Sequence, residues 1–134
     1  MRCRPVELPQ RLGGPAAARD FFANCFANAD PARETLWVAH VDEQLRCFHL
    51  SRHDGDDAGA ILPLRTIIAD AAIHGSARII LAHNHPSGDP RPSESDRRAT
   101  RRLALAADAL DCAVVDHLVF GGGEFTSFRE MDLL

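Results

Sequence analysis

The sequence predicts an α/β domain built on a single mixed β-sheet flanked by helices. Helical periodicity alternates with short apolar runs in the order αββαβαββ, with no internal repeat. One of those runs, residues 77–82 (ARIILA), is apolar almost throughout, the pattern of a strand covered on both faces. The 134 residues, 46% hydrophobic and 25% charged, fit one soluble domain and leave no room for a second large one.

Residues 1–14 carry Pro5, Pro9, Gly13 and Gly14 and read as an irregular leader, so the domain proper is expected over residues 15–134. Over residues 15–29, Phe21, Phe22, Cys25 and Phe26 recur on an alanine-rich background at amphipathic-helix spacing. Residues 34–41 (ETLWVAHV) and 45–51 (LRCFHLS) are β-rich runs joined by Asp42, Glu43 and Gln44, a hairpin. An acidic loop, residues 53–59 (HDGDDAG), follows. Leu64, Ile67, Ile68 and Ala71 mark a second helix, with Pro63 suited to its first turn and Gly75 to its C-terminal cap. The apolar strand then ends at His83. Residues 83–96 (HNHPSGDPRPSESD) form a loop, and Ser93 opens a third helix reaching about Leu110. Residues 114–120 and 125–128 close the chain as two strands around Gly121, Gly122 and Gly123.

Composition excludes several function classes. All 15 basic residues are arginine, set against 19 acidic ones, for a formal charge of −4. That balance offers no whole-surface attraction for a phosphate backbone. Cys3, Cys25, Cys47 and Cys112 contain no CxxC pair, which argues against zinc-ribbon and thioredoxin-like sites. Cys25, Cys47 and Cys112 sit among apolar neighbours, as small hydrophobes do. No apolar run has the length of a signal-peptide core or membrane span, so a cytoplasmic location without membrane attachment is expected. No motif specifies an oligomeric state.

The chemistry concentrates in residues 83–96. His83 and His85 stand two apart at a strand end, so in extended geometry their imidazoles point to the same side and can chelate one metal ion. The glycine and prolines that follow let the chain turn back, bringing Asp96 in the next helix's first turn to complete the set. Two histidines and a carboxylate leave a tetrahedral zinc with one position open to water, the catalytic rather than the structural arrangement. Each feature alone has a plain structural explanation: Ser93 and Asp96 fit a helix-capping signature, and Pro86 and Gly88 fit a turn. Together they place five polar groups where two elements converge, which favours a metal site. There is no HExxH, and no HxE with PCxxC. The consecutive letters HNH are unrelated to the nuclease motif of that name, whose residues are spread over a ββα unit.

The stretch LAHNHPSGDPRPSESD resembles the signature of the RadC family, a bacterial branch of the JAB/MPN (JAMM) metalloprotease-like superfamily. That signature is a glutamate, then His-x-His-Pro-x6-Ser-x2-Asp, matched here by His83, His85, Pro86, Ser93 and Asp96. The likeness extends to DHLVFGGGEFTSFRE and covers roughly residues 15–130. It implies a JAB/MPN architecture similar to that of cytidine deaminases, with Zn2+ held by His83, His85 and Asp96 at the end of the central strand. It also implies Glu34, rather than Glu43 in the hairpin turn, as general acid/base, and Ser93 as hydrogen-bond donor to the oxyanion. The implied activity is zinc-dependent hydrolysis of an amide or isopeptide bond in a peptide or protein substrate. The alternative implied by the family is a DNA-repair or mobile-element accessory protein that uses the fold for binding.

Family members commonly carry an N-terminal helix-hairpin-helix module, whereas this chain begins almost at the metalloprotease-like domain, which weakens the expectation of DNA contact. The acidic loop over residues 53–59 is expected to repel phosphate at the cleft mouth. The remaining basic cluster is Arg97, Arg98, Arg101 and Arg102, with Arg91 just ahead. These are expected on one arc of the third helix opposite Ala99, Leu103, Ala106 and Leu110, either as a solvated face or as a DNA- or partner-binding stripe. His117 matches the family's Asp-His pair and reads as structural. His40, His49, His53 and His74 show no spacing that suggests ligation.

Overall fold

The computed structural model describes residues 7–55 and 62–134. Its elements are β1 (Gln10–Arg11), α1 (Pro15–Phe26), β2 (Thr35–Val41), β3 (Arg46–Asp54), α2 (Leu64–His74), β4 (Arg78–Asn84), α3 (Glu94–Asp108), β5 (Ala113–Gly121) and β6 (Glu124–Ser127). They form one six-stranded sheet ordered β1-β3-β2-β4-β5-β6. Only β4 and β5 pair in parallel, joined by α3 as the crossover; every other pair is antiparallel. The sheet is therefore mixed.

Strand alternation divides the core into two layers. β2 sends Leu36 and Val38, and β4 sends Ile79 and Leu81, to the face covered by Ile67 and Ala71 of α2 and Leu103 and Ala107 of α3. The intervening Ala39, Val41, Ile80 and Ala82 meet Ala18, Phe21, Phe22 and Cys25 of α1 on the other face. This two-sided covering is why residues 77–82 read as a continuous apolar run. The helix ends follow local chemistry, with Pro15 in the first turn of α1 and Gly75 in the left-handed conformation after α2 (φ 61°).

Four features differ from the sequence reading. Within the expected irregular leader, Gln10 and Arg11 pair with Cys47 and Arg46 of β3, and Leu12 is buried in the α1 layer. Two residues suffice to add an edge strand, and they leave no periodicity to read. β3 continues through His53 and Asp54, because Thr35 at the start of β2 supplies a partner for Asp54. The rest of the acidic loop, residues 56–59, lies outside the described residues, as does Cys3. α1 stops at Phe26 rather than Ala29. Finally, α3 is rotated relative to the expected face: it buries Thr100, Leu103 and Ala107, while Ala106 is half-buried and Leu110, beyond the helix end, is exposed.

Cys25, Cys47 and Cys112 are buried free thiols, as their apolar neighbours suggest. Burial pushes the Cys25 thiol up to about 12 and the Cys47 thiol up to about 11. Among the described residues no helix is long and apolar enough to cross a membrane.

Candidate metal centre

Three elements meet at the C-terminal end of β4. His83 is on that strand, His85 begins the following loop, and Asp96 is in the first turn of α3. β2 runs antiparallel to β4 with Leu36 opposite His83, which carries Glu34, one residue before the strand, toward the same end. Asn84 holds that approach. Its Oδ1 accepts from the Thr35 backbone N–H at 2.7 Å, and its Nδ2 donates to the Arg33 carbonyl at 2.8 Å, so the residues on either side of Glu34 are both clamped.

The loop over residues 85–93 is seated on the turn between β5 and β6. The His85 N–H donates to the Phe120 carbonyl at 2.8 Å, and Thr126 Oγ1 donates to the Pro90 carbonyl at 2.7 Å. Gly88 turns the loop with φ 88°. A Cβ on Gly121 would lie 2.9 Å from the carbonyl carbons of both Gly88 and Asp89, so only glycine permits this approach. Gly121 and Gly122 thus belong to this loop's seating as well as to the final hairpin.

The side chains converge. His83 Nε2 is 3.0 Å from His85 Nε2 and 3.4 Å from Asp96 Oδ1; His85 Nε2 is 2.9 Å from Asp96 Oδ2. Glu34 Oε1 stands 3.7 Å from His83 Nε2. One donor atom from each of the four residues falls within 4.8 Å of all the others. Tetrahedral zinc with bonds of about 2.0–2.1 Å separates its ligand atoms by roughly 3.3 Å, so the spacings among His83, His85 and Asp96 suit such an ion.

The outer ring nitrogens decide which way the inner ones face. His85 Nδ1 lies 2.8 Å from the Asp89 carbonyl oxygen, which can only accept, so this nitrogen carries the proton. His83 Nδ1 lies 2.7 Å from His117 Nε2, and His117 Nδ1 lies 2.7 Å from Thr100 Oγ1. With His83 Nε2 as a ligand atom, Nδ1–H donates to His117, whose own Nδ1–H donates to Thr100. Without a metal, a proton on Nε2 bridges to Asp96; with both Nε2 atoms deprotonated, their lone pairs face each other and two carboxylates, an arrangement that a cation between them stabilises.

His117 itself is locked. Its ring stacks on Phe128 with centroids 4.7 Å apart, and Asp116 accepts the His117 backbone N–H and the Ser127 hydroxyl. Burial, reinforced by His83, pushes the His117 pKa well below the usual histidine range, so it acts as a neutral relay. Burial works against the Asp96 carboxylate, but hydrogen bonds from His83 and His85 and the Ser93 N–H outweigh it and hold its pKa below the usual carboxylate range. The Asp96 hydrogen bond moves His85 the other way, upward.

Ser93 caps α3. Its Oγ accepts the Asp96 N–H at 3.0 Å, and Asp96 Oδ2 accepts the Ser93 N–H at 2.8 Å. The capping box and the converging ligand set therefore share one carboxylate. A cavity of about 300 Å³ is lined by Glu34, Leu36, His83, Ser95, Asp96 and Ala99 among others, whereas Ser93 lines an outer groove with His85, Arg91 and Arg97. Arg98, Arg101 and Arg102 are exposed; Arg97 is half-buried, and its Nε is buried without a hydrogen-bond partner.

The fold and this geometry agree with the comparison to known proteins, in which residues 12–133 match the RadC-like JAB domain. The chain belongs to that family. It is 41% identical over 127 residues to UPF0758 proteins of Aliivibrio fischeri (strain MJ11) and Aliivibrio salmonicida (strain LFI1238), covering 93% of this chain and 55% of each relative. A UPF0758 protein of Vibrio campbellii is 41% identical over 103 residues, 75% of this chain and 46% of the relative. The chain thus spans about half the length of the curated relatives it matches.

The structure brings together Glu34, His83, His85 and Asp96, and sets Ser93 beside them in the outer groove. Sequence reasoning passed over Asn84 and Thr100 and gave His117 no part in orienting the site. Asp96, Thr100 and Leu103 share one helical face, a signal that could have found Thr100. The partner of His83 on β5 is 34 residues away and leaves no local trace.

Proposed function

We propose that this RadC-like JAB domain is a zinc-dependent hydrolase of the JAMM type that cleaves an amide or isopeptide bond in a peptide or protein. The observation that carries the reading is the inward convergence of two Nε2 atoms and two carboxylates, with both outer ring nitrogens already engaged. His83, His85 and Asp96 would hold zinc, which when bound supplies Lewis acidity and an acidified water. Glu34, in the cavity wall and clamped through Asn84, accepts a proton and delivers it to the leaving amine. Ser93 Oγ keeps its own proton while accepting from the Asp96 N–H, and that O–H donates a hydrogen bond to the developing oxyanion.

The test pairs elemental analysis with turnover on peptide and isopeptide substrates. Glu34→Gln is expected to retain stoichiometric zinc and lose roughly 10²–10⁴-fold in rate. Unchanged turnover would remove Glu34 from the mechanism. His83→Ala is expected to lose the metal at this centre, and retention of zinc there would overturn the ligand assignment.

A further inference from the structure

The opposite end of the same sheet face holds a second cluster of nitrogen donors. His40 on β2 is directly paired with His49 on β3, and both meet the last turns of α2, which present Asp70 and His74. The His40 ring lies 4.9 Å from that of His49 and 5.8 Å from that of His74; the His49 and His74 rings stack at 3.8 Å. From Glu34 to His40 is six strand residues, so this cluster stands roughly 20 Å from the first centre.

His40 is fully buried. Its Nδ1 is bound to Ser76 Oγ at 2.7 Å, and its Nε2 is buried with no hydrogen-bond partner. A buried ring nitrogen in that position needs something to meet it. One donor atom each of His40, His49 and Asp70 lies within 4.8 Å of the others, and a hydrogen bond on the outer ring nitrogen, here to Ser76, fixes the orientation of the ring as outer partners do for metal-ligating histidines. The His74 Nδ1–H donates to the Asp70 carbonyl at 2.9 Å, and its ring, stacked on His49, covers the outer side of the cluster. Burial and the neighbouring His49 push the His40 pKa down to about 4, and burial also lowers that of His49, so at neutral pH these two rings offer lone pairs rather than charge.

We propose that His40, His49 and Asp70 form a second divalent transition-metal site, with His74 closing its outer side, that ties the β2–β3 hairpin to the C-terminal end of α2. Two imidazoles and one carboxylate suit zinc and its first-row neighbours, and exclude calcium and magnesium, which require oxygen ligands. The donors lie within 4.8 Å of one another, against roughly 3.3 Å in a tetrahedral shell, and the half-buried His49 and Asp70 side chains are the ones free to adjust to an ion. Metal bound here adds its free energy to the folded state.

The test uses the full chain with the first centre removed by His83→Ala and His85→Ala, stripped with chelator and dialysed against micromolar Zn2+ alone, then Co2+ alone. Uptake of one equivalent of zinc, visible cobalt absorption of a nitrogen- and oxygen-ligated ion, and a rise in Tm on adding zinc are expected. Adding His49→Ala or Asp70→Asn, both at half-buried positions, should abolish all three while leaving the chelated protein folded by circular dichroism. No zinc uptake by the first-centre variant, or uptake that survives both further substitutions, overturns the proposal. Because the readout is stoichiometry and Tm, the result is independent of whether the first centre hydrolyses anything.

Discussion

Replacing Thr100 with valine changes one hydroxyl for one methyl inside α3 and tests the relay behind His83. Thr100 Oγ1 lies 2.7 Å from His117 Nδ1, and both residues are buried. Without that acceptor, the Nδ1–H of His117 has no partner. A buried donor left unpaired costs about 1–3 kcal/mol. For a domain of this size, that is a fall in Tm of roughly 3–5 °C per kcal/mol, measurable in chelator by calorimetry. His117 can escape the cost only by moving its proton to Nε2, where it confronts the Nδ1–H of His83 across 2.7 Å. His83 must then carry its own proton on Nε2, the atom turned toward Asp96 and His85. Zinc affinity is therefore expected to fall by about 10–100-fold, the usual scale for losing an outer-shell partner, as measured by competition with a chromophoric chelator. Thr100→Ser, which restores the oxygen, should recover the affinity even where packing is imperfect. If Thr100→Val lowers Tm but binds zinc as the wild type does, Thr100 is a packing residue and the relay argument is wrong.

The remaining predictions address the loop, the clamp and the buried thiols. Gly121→Ala should destabilise the fold by about 1–3 kcal/mol and weaken zinc binding, because its Cβ would lie 2.9 Å from backbone carbons of the metal loop; unaltered denaturation and zinc titration would show that the loop can give way freely. Asn84→Ala strips the partners from the Arg33 carbonyl and the buried Thr35 N–H. It is expected to cut turnover more than zinc content, whereas equal losses of both would mean Asn84 supports the whole loop rather than Glu34. The chain has neither lysine nor tyrosine, so alkaline stability between about pH 9 and 11 falls to the cysteines. Cys25 and Cys47 stay protonated in the fold, where the unfolded chain ionises above its ordinary value of 9.0, so their contribution is intact below pH 9 and lost as pH rises. At pH 10 each should cost about 1.4 kcal/mol. Urea midpoints should drop accordingly, and a Cys25→Ala/Cys47→Ala variant should show a flatter profile; an equal slope in that variant would refute the assignment.

Features carried by short-range spacing were legible in the sequence. The β4 run showed its two-sided burial because both helical layers demand apolar partners from consecutive residues. His83, His85, Ser93 and Asp96 lie within fourteen residues, so strand alternation and a capping box were enough to predict that they meet. Glu34 is 49 residues before His83 and could be chosen only through family likeness; its 3.7 Å approach depends on the antiparallel register of β2 on β4 and on the Asn84 clamp. α3 buries Thr100 rather than Ala106, and Thr100 there meets His117 of β5, a contact between distant segments. The His40, His49 and Asp70 cluster had no recognisable spacing because a hairpin pairing joins its first two members and helix packing adds the third. Periodicity within one element reports which face is buried. Which side chains meet across that face is decided by strand register and helix rotation, and these exist only once the chain has folded.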